Sequence, residues 1–364
     1  MKKIIIKFLF IFVCVSALII SQQNRIMYEK LVEKKGIMYS TGKKPYTGRV
    51  FDNYRMKGRK FTGAFRNGKK HGNWTYWKEN GKTDREESYF EGNKNGNWVY
   101  YNDNGIKERV EKYEKGKDTG HKIFYYDNGK KEKEEFHVKD LRNGKWTTWY
   151  YNGKKEKEEY YKKGNKIGKW NYYSESGKKE STVSYQNDNK DGKSIYFYSN
   201  SRKKQREESW KRNVENGLWI WWAEDGKKTE EGNYKTGQKH GIWISYNSRG
   251  RKIEESQWKN GELYGKSTLW DNNGNKSILK SFKEDEKDGL WVWWSVSGRK
   301  IKEGNFKLGE KNRKWTYYHL NGKKKRVENY VQGKKNGKLL VWYEDGKKQR
   351  EESYKNDERH GKWI

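Results

Sequence analysis

The chain has little of what several common folds need. In 364 residues there is one proline, Pro45, and one cysteine, Cys14. Alanine occurs only as Ala17, Ala64 and Ala223. Without Ala and Leu on a 3.6-residue period, a helical bundle or helical solenoid is excluded. Val/Ile-rich runs are missing after the N-terminal segment, which excludes a doubly wound α/β enzyme. The single cysteine lies inside an apolar N-terminal run, so a chain that loses this run has no disulfide and no thiolate metal site. Acidic residues are also few: 49 Asp and Glu stand against 83 Lys and Arg, a net charge of +34.

Rings and glycine are what the chain has in quantity. There are 19 Trp, 28 Tyr, 12 Phe and 38 Gly. So many aromatics exclude simple disorder. The apolar material is rings, which makes strands the natural place for it.

Met1-Lys2-Lys3 followed by the apolar stretch Phe8 to Ile20 has the pattern of an export signal. Residues 1–21 are predicted to be a signal peptide or membrane anchor. The remainder is then exported to the cell envelope: periplasmic, membrane-anchored or secreted.

A repeat fills nearly all the rest. A glycine precedes an aromatic-rich run at Gly48, Gly72, Gly96, Gly120, Gly144, Gly168, Gly192, Gly217, Gly241, Gly265, Gly289, Gly337 and Gly361, and Arg313 takes the place once. The spacing is 24 residues, with a single 25 between Gly192 and Gly217. Nine residues after each anchor comes a second register, as in Asn80-Gly81, Asn128-Gly129, Asn152-Gly153 and Asp345-Gly346. Asn-Gly between strand-like runs predicts a hairpin with a type I′ turn, whose two central residues need φ > 0. A third register, 20 residues after the anchor, is Gly (Gly68, Gly92, Gly116) or Asp (Asp140, Asp188, Asp285, Asp357), a choice that suits the left-handed region. The expected fold is all-β: an elongated single-layer antiparallel sheet of about thirteen stacked β-hairpins, at about 10 Å per hairpin. Residues 22–47 are expected to be an N-terminal cap with a degenerate repeat, and 48–364 the array.

The pattern G-x-W-x-x-[WY]-x-x-x-G-K-K followed by E-x-x-[YF]-x-x-G resembles the variant MORN repeat, and Tyr46-Thr47-Gly48 matches the opening of such arrays. Long arrays with an N-terminal signal resemble bacterial proteins of the YwqK-like antitoxin family. The resemblance covers roughly residues 30 to 364 and implies a hairpin ribbon used for binding. Arg313, Ser201, Lys122, Ser194 and Ser267 depart from the pattern, and local irregularity is expected there.

Two residues after the anchor the ring is Trp, at Trp74, Trp98, Trp146, Trp170, Trp219, Trp243, Trp291, Trp315 and Trp363. Five residues after it, every repeat from Gly72 onward has a ring, from Trp77 and Tyr101 to Tyr318 and Trp342. A third ring lies near the Gly/Asp turn, as in Phe65, Tyr89 and Tyr161. Positions two and five point to opposite faces of a strand. The position-five and near-turn rings are expected to form the core. The position-two tryptophans from Trp74 to Trp315 are expected to line an open or partner-covered groove.

Lysine clusters flank the turns (Lys130-Lys131, Lys154-Lys155) and glutamate pairs fill the second strand (Glu86-Glu87, Glu158-Glu159), so cross-strand pairing absorbs part of the charge. The remaining surplus should attract an anionic envelope polymer, an anionic lipid surface or a protein partner. Nucleic acid would bind only nonspecifically, and self-association is open. The six histidines are spread along the array, with only His121 and His137 in one repeat, and no nucleophile–base or metal-ligand spacing occurs, so no catalytic residue, cofactor or metal is expected. The reading is a non-catalytic binding scaffold at the envelope; the alternative, implied by the resemblance, is an antitoxin-like protein that neutralises a partner toxin.

Overall fold

The computed structural model describes residues 25–55 and 57–361. The 1–21 signal or anchor and Trp363 lie outside the described residues. The chain divides into two compact units, one up to Gly177 and one from Lys178 onward. Each is an open antiparallel sheet made of the 24-residue hairpins.

One repeat defines the rest. Gly72–Trp77 pairs antiparallel with Thr83–Phe90, setting Gly72 opposite Tyr89, Trp74 opposite Glu87 and Thr75 opposite Glu86. The next repeat adds its first strand to the far side, where Val99 meets Glu86 and Tyr100 meets Arg85. Chain neighbours are thus sheet neighbours, and the local pairing avoids costly long-loop closure. At the N-terminal side the free edge of Gly48–Asn53 is covered by Arg25–Met27, which pairs parallel to it. Leu31, Met38, Tyr46, Val50 and Phe61 cluster there with Phe65 and Trp74.

The type I′ turn is not where the sequence pattern placed it. At the Asn-Gly register only the glycine has positive φ, as at Gly81 (80°) and Gly129 (78°). The loop Lys78–Gly81 is closed instead by Gly81 N–H donating to Lys78 O at 2.9 Å, and the pairing shifts by one residue between Tyr76 and Trp77. This is a four-residue turn with a bulge. The paired positive φ values occur at the third register: Asn67 (49°) with Gly68 (73°), Asn187 (48°) with Asp188 (66°), Glu284 (52°) with Asp285 (61°). The N–H of the third-register residue then docks on the preceding repeat, as Gly92 on Lys70 O (2.8 Å) and Asp285 on Leu263 O (3.1 Å). Asp can replace Gly here for a further reason. The Asp285 and Asp357 carboxylates accept the backbone N–H of Leu263 (2.8 Å) and Lys335 (2.7 Å), so the substituent adds a bond between repeats.

The expected irregular repeats are regular. Lys117–Tyr125, Asn189–Phe197, Glu262–Trp270 and Glu310–Tyr318, which contain Lys122, Ser194, Ser267 and Arg313, are unbroken nine-residue strands. The single 25-residue spacing is absorbed in the loop holding Ser201: Phe197 pairs with Lys204, seven residues on, where Trp77 pairs with Thr83, six on. Arg313 adopts φ 60°, in the region the anchor glycines occupy (Gly72 70°, Gly241 75°). A side chain there costs about 1–2 kcal/mol. Arg313→Gly should therefore raise stability by about 1 kcal/mol, read as a higher denaturation midpoint at unchanged cooperativity.

The face that carries the position-two tryptophans is the core. Trp74, Trp98, Trp170, Trp219, Trp243, Trp291 and Trp315 are buried, and Trp146 is half-buried. This overturns their assignment to an open groove. The reason is register: Tyr89 lies opposite the anchor and two residues from Glu87, so near-turn and position-two rings share one face. They interleave edge-to-face, as in Trp146–Tyr161 (5.5 Å), Tyr161–Trp170 (5.1 Å) and Phe306–Trp315 (5.0 Å). Each indole N–H also reaches a backbone carbonyl ten residues earlier, at 3.1 Å for Trp98 to Ser88 and 3.0 Å for Trp315 to Asn305. A cation caps many of these rings, with Lys94 Nζ 3.9 Å above Trp98 and Lys239 Nζ 3.8 Å above Trp243.

The glutamate pairs split by the same alternation. In Glu86-Glu87 the second member turns into the ring face: Glu87 is buried, accepts from Tyr89 Oη at 2.9 Å and lies 2.8 Å from Arg85 and 3.8 Å from Lys70. The first member turns to the other face.

Candidate functional site

That other face carries the position-five rings. Trp77, Tyr101, Tyr125, Trp149 and Tyr173 follow one another in the first compact unit; Phe197, Trp222, Tyr246, Trp270, Trp294, Tyr318 and Trp342 do so in the second. All twelve are half-buried and none is fully covered. They were expected in the core; the structure exchanges their place with the position-two tryptophans. The anchor glycines Gly72, Gly96, Gly120, Gly144, Gly168, Gly192, Gly217, Gly241, Gly265, Gly289 and Gly337 all have positive φ. They sit at the bulge from which each ring-bearing strand starts.

The paired lysines after each Asn-Gly turn divide their work. The first clasps the next loop: Lys130 Nζ donates to Asn152 O at 2.9 Å, and Lys154 to Ser176 O and Lys323 to Asp345 O at 2.8 Å. The second lies on the position-five face. Lys131 Nζ is 5.2 Å from the centre of the Trp149 ring and 2.8 Å from Glu134; Lys204 is 5.3 Å from Trp222 and 2.9 Å from Glu207. The glutamate accepts in turn from the tyrosine of the following repeat, as Tyr173 Oη to Glu158 at 2.9 Å. Ring, ammonium and carboxylate thus recur along this face, and the phenol joins them where the position-five ring is a tyrosine, as at Tyr101, Tyr173, Tyr246 and Tyr318.

This arrangement sets the ionisation. Burial raises Glu158, but hydrogen bonds from Lys145, Lys155 and Tyr173 outweigh it and hold its pKa down to about 2. Burial, then the bond to glutamate, pushes Tyr173, Tyr246 and Tyr318 up to about 12. A carboxylate with a depressed folded pKa contributes stability that is full above its unfolded value, about 4.3. That contribution is lost as the pH falls through the folded value near 2. Melting temperature should therefore fall between about pH 4.5 and pH 2, and a Glu158→Gln variant, measured in parallel by circular dichroism, should fall less.

Sequence reasoning found the position-five rings and the Lys and Glu runs but assigned the rings to the wrong side. It missed the grouping of His121, Glu134 and Lys145. His121 Nε2 is 2.8 Å from Glu134, and Lys145 Nζ is 2.6 Å from Glu158. The signal was available: His121 and Phe136, opposite one another across one hairpin, both break the repeat pattern.

Four segments match the model of the MORN repeat variant: residues 142–163, 166–187, 215–236 and 335–356. Each match starts two residues before an anchor glycine. No curated protein matches the chain. Among solved structures, TcdB2-TccC3 is similar at 10% identity over 82% of this chain and 18% of that one, with a TM-score of 0.19. TcdB2-TccC3 without its hypervariable C-terminal region gives 11%, 87%, 17% and 0.20, and TcdB2-TccC3-Cdc42 gives 10%, 87%, 19% and 0.20. The chain thus spans less than a fifth of those chains, and their likeness carries no argument about function. Four segments of the chain, each in register with a hairpin of the fold, are thus similar to the MORN repeat variant.

Proposed function

We propose that the chain is a non-catalytic binding scaffold of the cell envelope, and that its position-five face holds an anionic polymer or anionic lipid surface. The observation that carries this reading is the file of half-buried rings, with a lysine over Tyr125, Trp149, Trp222 and Trp270, in a chain of net charge +34. Rings give sequence-tolerant stacking surfaces, and lysines give attraction to phosphate or carboxylate. Export, read from residues 1–21, favours an envelope polymer over nucleic acid.

Retention on an anionic polymer, on anionic vesicles and on neutral vesicles, across a salt series, tests the proposal. Binding to the anionic supports should be strong at low salt and fall steeply as the Debye length shrinks from about 10 Å at 0.1 M to about 3 Å at 1 M. Trp270→Ala with Trp294→Ala should weaken it further. Equal retention on the neutral vesicles would refute the reading.

One observation favours a protein partner, as for an antitoxin-like role. In the second compact unit Leu218, Ile242 and Leu290 are exposed on the strands that carry Trp222, Tyr246 and Trp294. An apolar patch of this kind suits a protein surface. Under this reading a stoichiometric partner stays bound at high salt.

A further inference from the structure

Besides the exposed Leu218, Ile242 and Leu290 of the second compact unit, the position-five face leaves its period in the first. A groove of about 520 Å³ opens there, lined among others by Lys112, His121, Glu134, Phe136, Lys145 and Trp149. Three of its features leave the repeat pattern. His121 stands where neighbouring repeats carry Asn97 and Lys145. Phe136 stands, as Lys112 and Tyr160 do in the adjoining repeats, where Ser209 and Ser281 donate to carbonyls of the next strand at 2.8 Å. Among the described residues Lys112 Nζ makes no ion pair, whereas Lys145 and Lys155 both lie within 2.7 Å of Glu158 Oε1.

The chemistry of this lining is mixed in a particular way. Phe136 and Trp149 offer ring surface. Thr119, Glu114 and Glu134 offer acceptors at the rim, and His121, Lys145 and Lys155 offer donors. A flat apolar ligand would leave these polar groups without use, and a bare inorganic anion would not use the rings. A polyhydroxylated ring uses both, because its C–H face stacks while its hydroxyls bond at the edge. The free ammonium of Lys112 adds a place for one negative charge, with Glu114 on the same strand to select against more than one.

We propose that this groove is a glycan subsite, taking a pyranose ring that carries one acidic group: the ring rests against Phe136 and Trp149, and the acid meets Lys112. The proposal rests on the assignment of this face as the binding face, and it names the ligand class for one place on it.

Calorimetric titration of the full chain with a uronate oligosaccharide, with its neutral methyl ester and with inorganic phosphate is the test. The uronate should bind best, the ester more weakly and phosphate alone not at all. Trp149→Ala and Phe136→Ser should each lower affinity for both sugars about tenfold. Lys112→Gln should lower it severalfold for the uronate and leave the ester unchanged. Phe136→Ser installs the residue found at Ser209 and Ser281, so it keeps the fold, which a thermal melt confirms. An unchanged affinity in Phe136→Ser overturns the subsite. So does an equal loss in Trp342→Ala, which would place the ligand along the whole file and leave the broader function standing. Retention on anionic vesicles with no sugar bound would likewise overturn the subsite alone.

Discussion

Trp315→Ala should cost about 3–5 kcal/mol of folding stability, the loss expected for a large ring removed from a close-packed site. Trp315 is 2% exposed. It is wedged between Phe306 at 5.0 Å and Tyr330 at 6.4 Å, and its N–H is held by Asn305 O. The matching change in the other file, Trp342→Ala, removes a half-buried ring and should cost about half as much or less. Chemical denaturation of the two variants beside the parent separates the files. A larger loss at Trp342 would mean that the two faces had been exchanged. Because each hairpin leans only on its neighbours, the loss at Trp315 should also appear as local opening around residues 289–331, seen by hydrogen exchange.

Gly232→Ala is the second large effect. A methyl group built on Gly232 would lie 2.2 Å from the Trp243 ring, and on Gly304 it would lie 2.1 Å from the Trp315 ring. The neighbouring atoms are a rigid indole locked by a hydrogen bond to Asn233 O, so neither side can yield cheaply. Overpacking a tight core costs about 1–3 kcal/mol, and expulsion of the indole would add to that. The two glycines are not turn residues. In other repeats the same register holds Glu87 or Glu328, and the tryptophan shares its face with a buried carboxylate. Where the register holds glycine, the ring lies flat on the backbone. Gly232→Ala should lower the denaturation midpoint well beyond the reach of a surface Gly→Ala change such as Gly42→Ala, where nothing lies within 4 Å and φ is not positive.

Much of this was legible in the sequence because the repeat itself is a physical device. A glycine every 24 residues marks the positive-φ bulge, and two strand-length runs between turns fix the hairpin. The sidedness of the rings was not read, although the alternation contains it. Glu87 faces Trp74 and Tyr89 is two residues further, so two ring positions fall on one side and only one on the other. The side with more rings closes. The turn types were misread because Asn-Gly serves a bulged four-residue turn as readily as a type I′ turn, while Lys-Asp at Lys139-Asp140 takes the I′ geometry with no Asn-Gly signature. The groove around Phe136 was invisible for another reason. Its members come from three successive hairpins, and only the register brings Lys112, His121 and Trp149 to one place.

The side chains of the paired lysines carry a further lesson. Counting them as free charge overstates the field of the surface. Lys130, Lys154, Lys203, Lys227 and Lys323 are each bound to a carbonyl of the next loop. They still bear charge, but their ammonium groups are held in fixed positions at one edge.

Hydroxyl-radical footprinting of the chain, alone and with a bound polyanion, reads the two ring files at once by mass spectrometry. The account predicts that Trp222, Trp270 and Trp294 oxidise in the free chain and become protected on binding, while Trp243, Trp291 and Trp315 stay unreactive in both. Ready oxidation of Trp243, Trp291 and Trp315, or a polyanion that leaves the reactivity of Trp222, Trp270 and Trp294 unchanged, would contradict it.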